Sequence, residues 1–279
     1  MKSSSNVRRI CGSLASAAVI LFALSLAIVG CSVPGGSGTP APGTTIVYDA
    51  LPAALPPNMA SIGFQATQTA EFGDYVHLAG TNRVLKSVTV TMSDWAMSAD
   101  YPLLPSAGWA YPITLSLCNV VPGTPLNTVG TMLATVTQTF TIPWRPPADP
   151  TSPGGTDWKA GNGLYYNGLA FNITFDFGSQ NITLPKDLII CVSYNTQSWG
   201  AAPTGVSGPY NSLNVGVEGS TTVGTDDNID RVFWNTATAA EYADGGAGGV
   251  SVFREDTGWG KPASLYAYGT LPVQIKAGP

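Results

Sequence analysis

Charged residues are scarce in this sequence. Only 10% of its 279 residues are Asp, Glu, Lys or Arg, whereas soluble domains average about 25%. Acidic residues number 17 and basic residues 12, so the chain is also mildly acidic. Surfaces that bind nucleic acid carry clusters of Lys and Arg that neutralise phosphates. The composition therefore argues against nucleic acid as a partner.

Histidine is almost missing as well. His77 is the only one, which excludes a histidine-rich metal site, and a Ser-His-Asp triad would have to use this residue. Apolar residues flank it, which predicts that it lies on the polar face of a strand. We therefore expect no catalytic residue and interpret the protein as a non-enzyme. Glycoside hydrolysis by paired carboxylates needs no histidine and stays open as an alternative. The candidate carboxylates for that alternative are Glu71 with Asp74, Asp149 with Asp157, and those of residues 225–230.

Long helical periodicity is also missing, and alternation of apolar and polar residues takes its place. Residues 84–95 set Val88, Val90 and Met92 on one face, and residues 131–142 align a row of threonines. The 32 glycines and 22 prolines predict frequent turns. These features predict an all-β fold, an antiparallel two-sheet β-sandwich, jelly-roll-like, with about ten strands.

Two segments carry more specific expectations for the fold. Residues 169–177 place five apolar side chains on one face, which favours a central strand. Residues 235–243 contain the one helical signal, a short turn capped by Asn235 or Thr236.

The N-terminus has the three parts of an export signal. Lys2, Arg8 and Arg9 precede an apolar segment, residues 14–29, and a small-residue end. The apolar segment is shorter than the ~20 residues that a membrane span needs and matches a signal-peptide core. Loss of the leader with its three basic residues would change the net charge from −5 to −8.

The end of this segment, Ile28-Val29-Gly30-Cys31, resembles the bacterial lipobox. The resemblance implies cleavage before Cys31 and acylation of this cysteine, which would anchor the protein to the bacterial cell membrane outside the cytoplasm. The expected organisation is a signal peptide at 1–30, a Gly/Pro-rich flexible tether at 31–45 and one β-sandwich domain at 46–279. Ordinary cleavage that releases a soluble protein is the alternative.

Two of the four cysteines, Cys118 and Cys191, remain in the predicted sandwich. Each lies in an alternating segment and opposes its apolar neighbours, so both are expected on the same side of one sheet. A disulfide between them fits an exported protein. Two separate buried thiols are the alternative.

Two long stretches without strand patterning, residues 142–168 and 195–212, are rich in aromatic side chains. Trp and Tyr rings stack on sugar rings, and nearby Asn side chains can bond the hydroxyl groups. We predict a ligand-binding platform there, although such rings could instead plug the ends of the sandwich. The predicted platform is Trp158, Tyr165, Tyr166, Trp199 and Tyr210, with Asn162, Asn167 and Asn195 nearby.

The segment TDDNID, residues 225–230, concentrates acidic side chains in a short loop. Calcium prefers oxygen ligands from such loops, although the spacing differs from the EF-hand pattern. Asp226, Asp227 and Asp230 are therefore candidate ligands of a structural Ca²⁺, and no other cofactor is expected.

Longer motifs give a family resemblance over residues 60–255. The pattern FGD-x-V, AG, R-x-L-x-SV-x-V-x-M-S-x-W-A and TQTFTIP-x-RP resembles a group of exported bacterial β-domain proteins without an established activity. That group often carries cysteines beside its tryptophan-rich loops, and these are missing here. The resemblance implies an exported β-sandwich and assigns no function.

These observations predict a lipid-anchored, non-catalytic β-sandwich that binds a neutral ligand such as a carbohydrate. A structural or adhesive envelope protein that binds a protein partner is the main alternative, and a glycan hydrolase is the third. A binding module predicts that Trp158 and Trp199 are exposed and coplanar. A structural protein predicts that both rings are buried.

Overall fold

A computed structural model describes residues 43–62, 69–194, 213–218, 220–226, 231–236, 253–257 and 269–279. Within these ranges the secondary structure is β-strand, apart from two 3₁₀ turns at Ser98–Asp100 and Pro153–Gly155. None of the helical segments in the described ranges has the length and hydrophobicity needed to cross a membrane.

The strands follow one another along the chain as β1 (Thr45–Asp49), β2 (Ser61–Ile62), β3 (Thr69–His77), β4 (Val84–Asp94), β5 (Trp109–Val121), β6 (Thr128–Ile142), β7 (Trp158–Lys159), β8 (Tyr165–Tyr166), β9 (Leu169–Asp176), β10 (Asp187–Ser193), β11 (Leu213–Gly216), β12 (Arg231–Thr236), β13 (Arg254–Thr257) and β14 (Val273–Gly278).

Two six-stranded antiparallel sheets contain most of these strands. In the first, which we call sheet A, β4 pairs with β9 on one edge and with β14 and β11 on the other. Strand β1 lies beyond β14, and β2 lies beyond β11. The second, sheet B, has the order β13-β12-β3-β10-β5-β6. The predicted all-β antiparallel sandwich is confirmed, while the jelly-roll connectivity stays a prediction.

The core lies between the two sheets, as the alternating pattern predicts. Val88, Val90 and Met92 of β4 are fully buried in one apolar cluster with residues of sheet B such as Leu115. The predicted threonine row of β6 points outward, and its members are exposed. Sequence alternation thus predicts correctly which face of these strands is buried.

Two expectations about individual segments are wrong. Strand β9 pairs only with β4 in the described part of the chain, so it lies at an edge rather than at the centre of its sheet. Its five apolar positions indicate that one face of the strand is buried. A strand can bury one face without having a paired strand on each side. Asn235 and Thr236 do not cap a helical turn, because both belong to β12. Residues 237–243 lie outside the described ranges.

The expected disulfide is also wrong, since Cys118 and Cys191 are buried free thiols. Cys118 of β5 lies opposite Ile189 of β10, so Cys191 is its diagonal neighbour on the same sheet face. Diagonal neighbours are about 7–8 Å apart, longer than the ~4.4–6.8 Å between Cα atoms that a disulfide joins. Burial, reinforced by the nearby Glu71 carboxylate, raises the pKa of both thiols. The same-face prediction is correct, but the bond needs a directly opposed pair.

Candidate functional site

An open cleft of about 670 Å³ lies at one end of sheet A. Its lining combines two aromatic rings with amide, hydroxyl and small apolar groups. The described residues that line it are Asn58, Met59, Ala60, Ser61, Trp95, Tyr166 and Asn167. None of them is charged. The cleft is therefore a neutral surface with both flat apolar faces and hydrogen-bonding groups.

The antiparallel pairing of β4 and β9 places the two sides of the cleft together. Asp94, the last residue of β4, is paired with Leu169, the first residue of β9. Trp95 follows β4 directly, and Tyr166 and Asn167 come just before β9, so both chain segments meet at the same end of the sheet. The segment that leads into β2 supplies the remaining wall.

Gly168 allows the Trp95 ring to lie against the backbone at the start of β9. A Cβ atom on Gly168 would come within 2.5 Å of Cδ1 and Nε1 of Trp95. It would also come within 2.9 Å of Oδ1 of Asn58. No side chain fits at this position while both neighbours keep their places.

A chain of hydrogen bonds fixes the polar groups of the cleft. Nε1 of Trp95 donates to Oγ of Ser93 at 3.2 Å, and this hydroxyl donates to Oδ1 of Asn58 at 2.7 Å. Nδ2 of Asn58 in turn donates to Oδ1 of Asn167 at 3.1 Å. The chain orients both amides and leaves Nδ2 of Asn167 without a partner among the described residues. That group can donate to a ligand.

The predicted aromatic platform is only partly correct. Tyr166 lines the cleft, and its hydroxyl accepts a hydrogen bond of 2.8 Å from Nδ2 of Asn162. Trp158 is opposite Tyr166 in the β7–β8 pair but is only 8% exposed, and its Nε1 donates to the carbonyl of Gly168 at 2.7 Å. Its ring packs 5.8 Å from that of Tyr166. The expectation of an exposed Trp158 is wrong: its ring is buried, as the structural alternative predicts for this residue, and it packs behind Tyr166.

Tyr165 does not contribute to the cleft. Neighbouring residues of a strand point to opposite faces, so Tyr165 points away from the side that Tyr166 occupies. Its hydroxyl lies 3.0 Å from Oγ1 of Thr151, and Nζ of Lys159 lies 5.6 Å from its ring centre. The other two predicted platform residues, Trp199 and Tyr210, lie outside the described ranges, as does Asn195.

None of the described carboxylates considered for glycoside hydrolysis lines the cleft. Glu71 and Asp74 are three residues apart on β3 and therefore point to opposite faces of sheet B. Asp74 is fully buried in the core side, whereas Glu71 accepts a hydrogen bond from Asn235 on the outer side. Asp149 and Asp157 belong to the 142–168 segment, and neither lines the cleft.

His77 is paired with an acidic neighbour at an end of sheet B. Its Nδ1 lies 2.6 Å from Oδ1 of Asp187, which is directly opposite on β10. The imidazole also packs against the ring of Tyr75, with centres 4.7 Å apart. Neither His77 nor Asp187 lines the cleft.

The predicted calcium loop is described only at its first aspartate. Oδ2 of Asp226 accepts a hydrogen bond of 2.7 Å from Oγ1 of Thr270. Asp227 and Asp230 lie outside the described ranges, so the metal site stays a prediction. Among the described residues there is no group of three or more His, Cys, Asp or Glu side chains that could hold a metal.

Asp226 instead influences a second, deeply buried carboxylate. Burial, and then the nearby charge of Asp226, raise the pKa of Asp74 well above its ordinary value. The amides of Tyr75 and Leu271 oppose this effect by donating to the Asp74 carboxylate at 2.7 and 3.0 Å. Burial thus disfavours the charged form of Asp74 by more than these two hydrogen bonds favour it.

Sequence reasoning missed five of the seven described residues that line the cleft, namely Asn58, Met59, Ala60, Ser61 and Trp95. A signal for Trp95 exists, because it continues the odd-numbered polar face of residues 87–93. A large aromatic residue on the outer face of a strand is a candidate contact for a ligand. Asn58 gives no such signal, because its neighbours in the fold are distant in sequence.

No protein-family model, curated protein or solved structure matches the chain. The resemblance to exported β-domain proteins therefore stays a prediction.

Proposed function

We propose that the protein binds a neutral carbohydrate in the cleft between Trp95 and Tyr166. One observation carries this proposal: two aromatic rings and the amides of Asn58 and Asn167 share an open, uncharged cleft. Sugar rings present apolar C–H faces that stack on aromatic rings, and their hydroxyl groups bond to amides. A charged ligand would find no opposite charge among the lining residues.

The same lining supports binding without catalysis. Its side chains are Asn, Met, Ala, Ser, Trp and Tyr, and none of these normally acts as an acid or base near neutral pH except through a strong pKa shift. Glycoside hydrolysis needs two carboxyl groups that flank the bond. The cleft therefore favours the hypothesis of a binding protein without enzymatic activity.

We place this binding protein outside the cytoplasm, attached to the bacterial cell membrane by lipid on Cys31. The lipobox resemblance supports the attachment, and the Gly/Pro-rich residues that follow would hold the sandwich away from the bilayer. The resemblance to exported β-domain proteins agrees with this location. The partners are then the membrane, through the lipid, and a glycan at the cell surface.

A glycan array tests the binding proposal. It uses the exported chain, residues 31–279, which is the chain expected after removal of the signal peptide. We expect selective binding to neutral oligosaccharides, measured afterwards by calorimetry with the best ligand. Tyr166→Ala and Trp95→Phe should each weaken binding by about tenfold or more, because each reduces one stacking face. Thermal melts identify any loss of binding that comes from unfolding.

Tyr165→Ala is the matched control, since this tyrosine is adjacent in sequence but faces away from the cleft. It should bind the glycan as tightly as the unchanged protein does. Binding to no glycan, or an equal loss in the Tyr165 and Tyr166 variants, would refute the carbohydrate site. A protein ligand would then be the better hypothesis.

The anchor has its own test. Cys31→Ser removes the acylated sulfur and should release the protein from the membrane fraction into the soluble fraction outside the cytoplasm. Ser32→Ala is the control and should leave the protein with the membrane. Membrane retention of a Cys31 variant that has lost its leader would contradict lipidation without bearing on the cleft.

A further inference from the structure

Strand β6 forms an edge of sheet B. Its pairing with β5 shifts register on both sides of Cys118, but residues 134–142 pair regularly and lack the usual protection of such edges. The strand spans 15 residues, Thr128–Ile142, and pairs only with β5 among the described strands. Natural edge strands are short, charged or interrupted by proline, because their free backbone groups otherwise pair with other chains. β6 contains no charged residue and no proline.

The other edges of the two sheets differ from β6 in these respects. Strands β1, β2 and β13 have 5, 2 and 4 residues, and β13 carries Arg254, Glu255 and Asp256. Strand β9 has 8 residues and ends at Asp176. The long neutral edge of β6 is therefore specific to one side of the sandwich.

The core is also incompletely closed beside β6. Leu133, Val136 and Phe140 pack against the apolar core but are only partly buried. The Phe140 ring meets the Phe175 ring of β9 at 5.0 Å, so the two strands form the same side of the sandwich. An added strand along β6 would remove more of these side chains from water.

We propose that β6 pairs antiparallel with β6 of a second copy of this chain, so that two B sheets join across a two-fold axis. The outward-facing threonines of β6 can pair with the same threonines of a second copy. They are Thr135, Thr137, Thr139 and Thr141. With the axis at Gln138, Thr135 faces Thr141 of the other copy, and Thr137 faces Thr139. A two-fold contact of this kind uses the same surface on both copies.

Threonine pairs of this type already stabilise the sheets within one molecule. The hydroxyl groups of Thr114 and Thr137 lie 2.7 Å apart across β5 and β6. Those of Thr89 and Thr174 lie 2.9 Å apart across β4 and β9. Opposed Thr residues are favourable cross-strand pairs, whereas like charges directly opposite each other are unfavourable. The self-complementary threonine row favours a second copy over a different protein.

Analytical ultracentrifugation of the exported chain carrying Cys31→Ser tests this inference without lipid that could bring copies together. We expect a concentration-dependent dimer. The double variant Thr137→Lys/Thr139→Lys places two like-charge contacts between the paired β6 strands. It should raise the dissociation constant of the dimer by about tenfold or more. The matching Thr137→Glu/Thr139→Glu variant should do the same. An equimolar mixture of the two should form a heterodimer, because each Lys then faces a Glu.

The control is Thr114→Lys/Ser116→Lys, on the same sheet face but one strand further from the edge. It should dimerise like the unchanged chain, and melting curves should show that all variants are folded. A monomer at every concentration would overturn the inference. So would a dimer that the Lys variant forms normally, or a mixture that gives no heterodimer. None of these outcomes affects the glycan test.

Discussion

At the scale of single residues, Gly168 decides whether the Trp95 ring can occupy the wall of the cleft. Gly168→Ala would bring a methyl group within 2.5 Å of that ring, which must then move. We expect glycan affinity to fall by about tenfold, as for loss of the stacking face itself. Calorimetry with the array-selected oligosaccharide measures this change.

Gly161→Ala is the matched control for this substitution. A Cβ atom on Gly161 meets nothing within 4 Å, and this glycine belongs to the neighbouring hairpin loop. The glycan affinity of the Gly161→Ala variant should equal that of the unchanged protein. Equal affinities for the two variants would show that Trp95 does not bind the ligand.

A second prediction concerns the buried carboxyl group of Asp74. Because its pKa is raised in the folded state, folding retains a proton that the unfolded chain loses above about pH 4. The free energy of unfolding therefore falls as the pH rises from there through the raised pKa. Asp226→Asn removes the second cause of the shift, while its amide oxygen can still accept from Thr270.

The Asp226 variant should thus lose less stability than the unchanged protein between about pH 4 and the raised pKa. Chemical denaturation at several pH values measures the difference. Asp176→Asn, at an exposed aspartate, is the control. The difference between its free energy of unfolding and that of the unchanged protein should not increase with pH. If the free energies of unfolding of Asp226→Asn and the unchanged protein differ by the same amount at every pH, the coupling to Asp74 is contradicted.

The residues of the cleft show how far sequence reasoning reaches at this scale. Tyr166 and Asn167 were predictable, because aromatic and amide residues are concentrated in the 142–168 stretch. Trp158 was misassigned, because composition cannot tell which ring of a hairpin faces solvent. Asn58 depends on tertiary contacts with a segment more than 100 residues away, as its bond to Asn167 shows.

At the scale of elements, Arg145 holds the 142–168 segment against the end of β4. It is 8% exposed, and its guanidinium donates to the carbonyls of Trp95 at 2.9 Å and Thr156 at 3.0 Å. Its backbone amide adds a bond of 3.0 Å to the carbonyl of Ala96. The side chain therefore joins the two elements that carry Trp95 and Tyr166.

Arg145→Ala should lower the free energy of unfolding by about 1–3 kcal/mol, because the carbonyls of Trp95 and Thr156 lose charged donors in two partly buried hydrogen bonds. Glycan affinity should fall as well, since Trp95 loses its support. Denaturant unfolding and calorimetry measure both effects. Arg83→Ala is a suitable control: Arg83 also donates to carbonyls, those of Ala79 and Gly80, but away from the cleft. A glycan affinity that Arg145→Ala leaves unchanged would separate this arginine from the site.

Alternation predicted the strands better than it predicted their neighbours. The buried faces of β4, β6 and β9 follow from a period of two, which depends only on local sequence. Whether a strand is central or at an edge depends on long-range pairing, so β9 was misplaced. The β7–β8 hairpin was also missed inside a predicted loop, although Trp158 before Gly161 and Tyr165-Tyr166 after Gly163 are a hairpin signal.

At the scale of the whole molecule, the chain closes its first sheet with its last strand. Strand β14 lies between β1 and β4, and β1 has no other strand partner in the described part of the chain. Val273 and Ile275 of β14 and the preceding Leu271 are fully buried. Residues 271–278 are therefore needed to join β1 to the rest of sheet A.

Deletion of residues 270–279 should consequently abolish cooperative unfolding. Burial of one large aliphatic side chain contributes about 1.5–3 kcal/mol, so loss of Leu271, Val273 and Ile275 removes about 5–9 kcal/mol. A domain has only about 5–15 kcal/mol in total, and β1 would lose its partner as well. Circular dichroism melts of the truncated chain measure the outcome, with deletion of residues 31–42, which precede β1, as the control. A truncated chain that still melts cooperatively near the temperature of the full chain would refute the central position of β14.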